Sequence, residues 1–301
     1  MEFNTVFSIA LFIMIISFSG QSFGGSWTQV WGPVSYAIIG YDKNTDKTTL
    51  YAVKKSSKQS EQDIYKYEGQ PDSWTKIGGP GKAFAADEYG NLYGISPDGS
   101  AVYMYAGSGQ SWNKIGGPAD TLFTNEIGVF AISPGTKDVY AFHPLNSKWQ
   151  RIGGPGAMFV DTAVYTYGLS PDKSGVWQQY GTEGKWRKVG GPAASIASGY
   201  ESLFALSPPK DAGSKGHVYY YQNESNSWKS LNSPACSMVV SNYTNRPYCL
   251  TDDGVYGLYD HFTQWKKIGG PAASLYAGGW FLCATNPTTH NLYCYKRDDA
   301  Q

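Results

Sequence analysis

SWTKIGGP (73–80), SWNKIGGP (111–118), KWQRIGGP (148–155), KWRKVGGP (185–192) and QWKKIGGP (264–271) are five copies of one octapeptide. SWTQVWGP (26–33) and SWKSLNSP (227–234) are degenerate copies of it. Their tryptophans, Trp27, Trp74, Trp112, Trp149, Trp186, Trp228 and Trp265, stand 37 to 47 residues apart. A period near 40 marks a repeat architecture. Four places after each proline comes an apolar residue: Phe84, Leu122, Phe159, Ile196, Met238 and Leu275, with Ala37 as a weak seventh. Runs such as NLYGISP (91–97) and TYGLSP (166–171) follow, then a turn, then VYMY (102–105), VYAF (139–142), VYYY (218–221) or VYGL (255–258), then a polar turn into the next tryptophan. Each unit thus holds four short β-branched and aromatic runs bounded by Gly, Pro, Ser, Asn or Asp. Four strands per 40 residues predict an all-β fold, a β-propeller of four-stranded blades.

The blade count depends on the chain ends. SLYAGG (274–279), WFLCATN (280–286) and NLYCYK (291–296) supply three strands and no tryptophan strand. Seven blades result if SWTQV (26–30) becomes the outermost strand of the last blade, so that the termini latch the ring and remove an exposed edge. Six blades with an irregular N-terminal arm is the alternative.

Composition agrees. The 301 residues include 36 Gly and 16 Pro, 16% are aromatic and only 16% are charged, which suits a turn-rich β-protein. Lys plus Arg and Asp plus Glu number 24 each, a balance that argues against nucleic acid as a partner. Residues 6–18 (VFSIALFIMIISF) are an apolar run of the length of a signal-peptide core, followed by small residues. Glu2 and the lack of Lys or Arg before the run disagree with that pattern. The expectation is a signal peptide over 1–24, a single domain over 25–301, and an extracellular, secreted protein without membrane insertion. Its oligomeric state is left open.

Four cysteines suit an oxidising compartment. Cys236–Cys249 and Cys283–Cys294 each flank a plausible hairpin turn, so adjacent strands would bring them within bridging range. Alternatively they stay reduced, because Cys249 and Cys283 take the place of Gly94 and Gly168 in other units. Asn223-Glu224-Ser225 and Asn242-Tyr243-Thr244 are glycosylation sequons, so Asn223 and Asn242 are candidate acceptors.

The repeated tryptophans read first as packing between a blade's outer strand and its neighbours, and secondly as ligand-stacking platforms. In Gly-Gly-Pro the glycines permit positive φ and the proline fixes the exit. These crossovers and the turns Ser96-Pro97-Asp98, Ser133-Pro134-Gly135, Ser170-Pro171-Asp172, Ser207-Pro208-Pro209 and Thr251-Asp252-Asp253 should emerge on one rim. They are either turn formers only or a binding site repeated around a ring, as multivalent recognition needs. Not every unit would work. Leu231-Asn232-Ser233-Pro234 has lost the glycine pair, and Val53-Lys54-Lys55 replaces one Ser-Pro turn. The candidate ligand residues are Asp98, Asp172, Asp253 and Trp31, the last because it replaces a turn glycine and should be exposed.

At these residues the chain resembles the tectonin repeat of tectonin- and tachylectin-type β-propeller lectins: W-x-x-I-G-G-P, then an aromatic-Gly strand, V-Y-x-Y, and the next Trp. The resemblance covers the mature chain, with longer units and Gly-Gly-Pro in place of the family's commoner I-P-G. Similarity to kelch propellers is weaker, confined to stretches such as VYAFHPLNSKW (139–149), with Ser-Pro where kelch has a double glycine. The lectin resemblance implies a multivalent carbohydrate-binding protein. It would hold glycans or glycoproteins in shallow pockets at blade borders, with no metal or cofactor. A protein-binding propeller and a propeller enzyme are the alternatives. For catalysis, Asp87, Glu126 and Asp161 fall on or after predicted inner strands and could line a channel. His143, His217, His261 and His290 lie in different units without ligand spacing.

Overall fold

A computed structural model of the chain describes residues 25–297, apart from 126–127, 144–145, 181–183, 212 and 260–261. The expected leader, Glu126 and His261 lie outside the described residues. Seven four-stranded antiparallel sheets form a ring of seven blades. Blade 2 serves as the type, with strands Ala83–Ala86, Leu92–Ile95, Val102–Tyr105 and Trp112–Gly116. The first strand of every blade contacts the first strands of both neighbours, so these seven strands form the inner wall.

Blade 7 joins the ends of the chain. Its strands Ser274–Gly278, Phe281–Thr285 and Leu292–Arg297 are completed by Gly25–Trp31 as the outermost strand. The ring is closed, and no blade is left with three strands.

Apolar alternation along each strand feeds two blade borders, and the core is correspondingly seven clusters rather than one. Within each blade the apolar residue after the proline faces a small residue of the second strand. Phe84 faces Gly94 and Phe159 faces Gly168, while Leu122, Ile196 and Leu275 face Ala131, Ala205 and Ala284. A Cβ on Gly94 would stand 2.8 Å from the Phe84 ring, so large faces small and volume is conserved across the pair.

Both disulfides are formed: Cys236–Cys249 and Cys283–Cys294, with Cα separations of 5.3 and 4.0 Å. Cys249 takes the small-residue place, opposite Met238. Cys283 does not. It pairs with Tyr276, in the register position that Tyr93 holds opposite Ala85, and Ala284 is the true counterpart of Gly94. Cys236 lies one residue before its strand, Ser237–Ser241.

Candidate functional site

The crossovers between blades and the turns between second and third strands share one face, here the crossover face. Hydrogen bonds tie them together: Ala119 N–H to Gly99 O at 3.1 Å, Ala193 N–H to Lys173 O at 3.1 Å and Cys236 N–H to Gly216 O at 3.0 Å.

The tryptophans link the blades. In blades 1, 2, 3, 4 and 6 the outer strand bulges so that the residue before the first glycine drops out of register, as Ile77, Ile115, Ile152, Val189 and Ile268 do. Val30 does the same in blade 7. A bulged residue is not held by the ladder. The carbonyl at this place accepts the indole N–H of the next blade's tryptophan. Trp27 donates to Ile268 O at 2.7 Å, Trp74 to Val30 O at 2.9 Å, Trp112 to Ile77 O at 2.8 Å and Trp149 to Ile115 O at 2.8 Å. Trp228 and Trp265 likewise bond Val189 O and Leu231 O, at 2.8 and 2.9 Å. Trp186 covers Gly153 in the same manner, but its N–H finds no acceptor.

This geometry revises the role of the glycine pair. The first glycines do not have positive φ; at the second place Gly154 does, at 110°, and so does Gly32 after Trp31, at 148°. What the first glycine supplies is closeness: a Cβ on Gly78 or Gly116 would stand 2.7 Å from the indole nitrogen above it.

The three candidate aspartates hold their own turns. Asp98 Oδ1 accepts from the Ser96 hydroxyl at 2.6 Å and from Ser100 N–H and Oγ at 3.0 and 2.8 Å. Asp172 repeats this with Ser170 and Ser174. These bonds hold the exposed Asp98 and Asp172 carboxyls down at about 2, led by Ser96 in one and by the Ser174 N–H in the other. Asp253 accepts from the Thr251 hydroxyl, from Tyr256 OH at 2.8 Å and from Lys267 Nζ at 3.0 Å, and its carboxyl lies well below the usual range, the Thr251 bond first. The three sit in blades 2, 4 and 6 and are not brought together.

Trp31 is half-buried rather than exposed. Its ring stacks on Trp74 at 4.8 Å and 21° and packs on Tyr65 at 4.8 Å. It stands in the place of the first glycine and fills the border between blades 7 and 1.

The equivalent border between blades 4 and 5 is open. There Gly190 replaces Trp31, and Gly190–Pro192, Val176, Ser207, Tyr219 and Trp228 line a cleft of about 310 Å³. Tyr219 and Trp228 are the counterparts of Tyr65 and Trp74. In six blades the second residue of the third strand is an aromatic paired with a long side chain: Tyr65 with Lys76, Tyr103 with Lys114, Tyr140 with Arg151, Trp177 with Lys188, Tyr256 with Lys267 and Tyr293 in line with Gln29. Lys267 lies over the Tyr256 ring at 6.0 Å, and Tyr293 OH bonds Gln29 Oε1 at 2.9 Å. In blade 5 the partner of Tyr219 is Ser230, too short to cover it. The matching cleft between blades 6 and 7, lined by Trp27, Gly270, Pro271 and Tyr293, has room for about one water, roughly 10 Å³. Tyr219 and Ser230 escaped the sequence reading, although the loss of Lys or Arg two places after Trp228 is visible in the repeat.

Asp87 does not line a channel. It is 2% exposed and accepts from Tyr89 N–H, Asn91 N–H, Asn91 Nδ2 and Tyr93 OH, all at 2.9 Å, which makes it the core of a turn. Asp161 is half-buried at the end of a first strand. Among the described residues no three of His, Cys, Asp and Glu converge as a metal set, and no helix is long and apolar enough to cross a membrane. The two sequons differ. Asn223 is exposed, whereas Asn242 is half-buried, with Nδ2 donating to Glu88 at 3.0 Å and Oδ1 accepting from Gly279 N–H at 3.1 Å.

No family model and no curated protein matches the chain. Solved propellers do. YCF48 from Cyanidioschyzon merolae superposes with TM-score 0.61 at 9% identity, over 91% of this chain and 99% of that one, and YCF48 is also solved bound to D1 peptide. The CRINKLY WD40 ectodomain of the Arabidopsis thaliana receptor kinase ACR4 gives 0.58 at 12%, over 90% and 96%. An oligogalacturonate lyase in complex with manganese gives 0.62 at 10%, over 90% and 97%. At such identities the likeness shows the fold alone.

Proposed function

We propose that this chain is a secreted glycan-binding propeller of the tectonin-lectin kind, with the cleft between blades 4 and 5 as its principal site. The observation that carries this reading is that cleft. It combines a tyrosine ring with no long side chain opposite it, a tryptophan, exposed glycine backbone and a volume within the range of small-molecule sites, roughly 300–1,000 Å³. A pyranose ring presents an apolar face to Tyr219 and hydroxyls to the Gly190–Pro192 backbone, Ser207 and the Tyr219 hydroxyl. Trp31 supports the assignment from within the molecule. At the equivalent border a flat ring already lies between Tyr65 and Trp74. The two disulfides fit an oxidising compartment, and the apolar run at 6–18 fits export.

Multivalency is narrower than the repeat alone suggests, because a long side chain stands opposite the aromatic in the other six blades. The carboxylates of Asp98, Asp172 and Asp253 contribute turn order first and ligand contacts second. The test is retention on a panel of immobilised glycans with and without EDTA. Retention that survives the chelator and is lost in Tyr219→Ala is expected. No retention on any glycan, or retention that disappears with EDTA, overturns the metal-free lectin reading.

A further inference from the structure

We propose that the face opposite the crossovers is a docking surface for a protein segment carrying a lysine or arginine among apolar residues. All the large hydrophobic residues exposed among the described residues lie on this face. Tyr89, Val164, Tyr200, Tyr243 and Trp280 occupy the turns between the first and second strands of blades 2, 4, 5, 6 and 7, and Tyr180 ends a third strand beside them; they are 40% to 67% exposed. Scattered single exposures are ordinary, but a one-sided set around the mouth of a ring is not.

The set is continuous. Tyr200 O accepts from Ala163 N–H at 2.6 Å, next to Val164. Glu201 N–H donates to Asn245 Oδ1 at 3.1 Å, which joins blade 5 to blade 6. The Tyr243 and Trp280 rings meet at 4.5 Å, and Trp280 Nε1 donates to Asp46 Oδ1 at 3.0 Å in blade 1. Lys43 lies over Tyr89 at 4.6 Å, and Asn242 reaches Glu88 of blade 2 at 3.0 Å.

Charge selects the occupant. Asp46 and Glu201 are exposed on this arc, and neither is ion-paired with a cation among the described residues. Asp46 accepts from neutral donors, Trp280 Nε1 and Tyr41 OH, which keep it ionised and fixed in place. A carboxylate beside two partly exposed aromatic rings favours an ammonium or guanidinium and rejects an acid. The enclosed space near Trp280 holds about one water, roughly 10 Å³, so the surface suits a broad partner rather than a small ligand. A copy offering its lysine-bearing crossover face would make a head-to-tail contact that runs on without closing. A separate basic, apolar segment satisfies both features.

The test is selection of a displayed random-peptide library on the immobilised mature protein, with sedimentation of the free protein alongside. Enriched peptides should share Lys or Arg flanked by apolar residues and lose affinity in high salt. Their affinity should fall about tenfold or more in Trp280→Ala and roughly threefold in Glu201→Lys, with Tm unchanged in the latter. No enrichment, an acidic consensus, or affinity indifferent to both substitutions overturns the proposal. So does self-association that Trp280→Ala abolishes, which would assign the face to a second copy.

Discussion

The border between blades 7 and 1 and the border between blades 4 and 5 are built from matching residues and end in opposite states. At the first, Trp31 stands where the repeat has glycine and fills the space between Tyr65 and Trp74. At the second, Gly190 and Ser230 leave Tyr219 and Trp228 open to a cleft of about 310 Å³. One repeat therefore supplies both a filled latch and an open cleft, and two small-residue positions decide which. The tryptophan clamp is common to both borders, so the two borders differ in what covers the clamp rather than in the clamp itself.

The largest break is removal of residues 25–33. It strips blade 7 of its outer strand, takes Trp27 from Ile268 and Gly269, and takes Trp31 from Trp74. Two large rings and an open sheet edge are at stake, on the order of 5 kcal/mol or more. Chemical denaturation and light scattering should report a destabilised, aggregating protein. A monomer with unchanged Tm would contradict the latch.

Trp31→Gly is the subtler break, since it converts the closed border towards the open one. Loss of the half-buried indole should cost about 2–3 kcal/mol by urea denaturation. Glycan titration of Trp31→Gly combined with Lys76→Ser, which removes the long side chain opposite Tyr65, should then show a second binding site per chain. An unchanged stoichiometry would mean that an uncovered aromatic beside a crossover glycine is insufficient for binding.

Much of this contrast could be read in the sequence, and the exceptions share a physical cause. Seven blades, the strand grammar, the N-terminal latch and both cystines follow from spacings that packing enforces, because each tryptophan packs against the preceding blade's crossover and six of the seven bond its carbonyl. The glycine was legible as a position but not as a cause: closeness to an indole, rather than positive φ, is a contact between units that sequence does not display. Cys283 was read one strand residue out of place, which matters because a one-residue slip reverses the face. Trp31 was legible as an exception to the repeat, but whether it pointed out or in depended on Tyr65 and Trp74. The aromatic arc was missed because Tyr89, Tyr200, Tyr243 and Trp280 sit at unequal offsets in turns of unequal length, where no period reveals them.

A smaller effect separates turn order from ligand contact. Asp98 is exposed and held at about 2 by its own turn, below the ordinary carboxylate value of 3.8. Its contribution is present above about pH 4 and fades as pH falls towards 2. Asp98→Ala should lower Tm slightly at neutral pH, with the difference from wild type closing near pH 2 and with glycan retention preserved. Lost retention at unchanged Tm would move Asp98 from the turn into the site.

The central claim is that an uncovered Tyr219 makes the cleft between blades 4 and 5 a binding site. Ser230→Lys restores the cation found at Lys76, Lys114, Lys188 and Lys267, on an exposed outer strand where other blades tolerate it. Glycan retention of this variant, measured beside wild type at matched Tm, is the most direct test. Retention reduced at least about tenfold is the predicted result. Retention equal to wild type would contradict the account and place glycan binding elsewhere or exclude it.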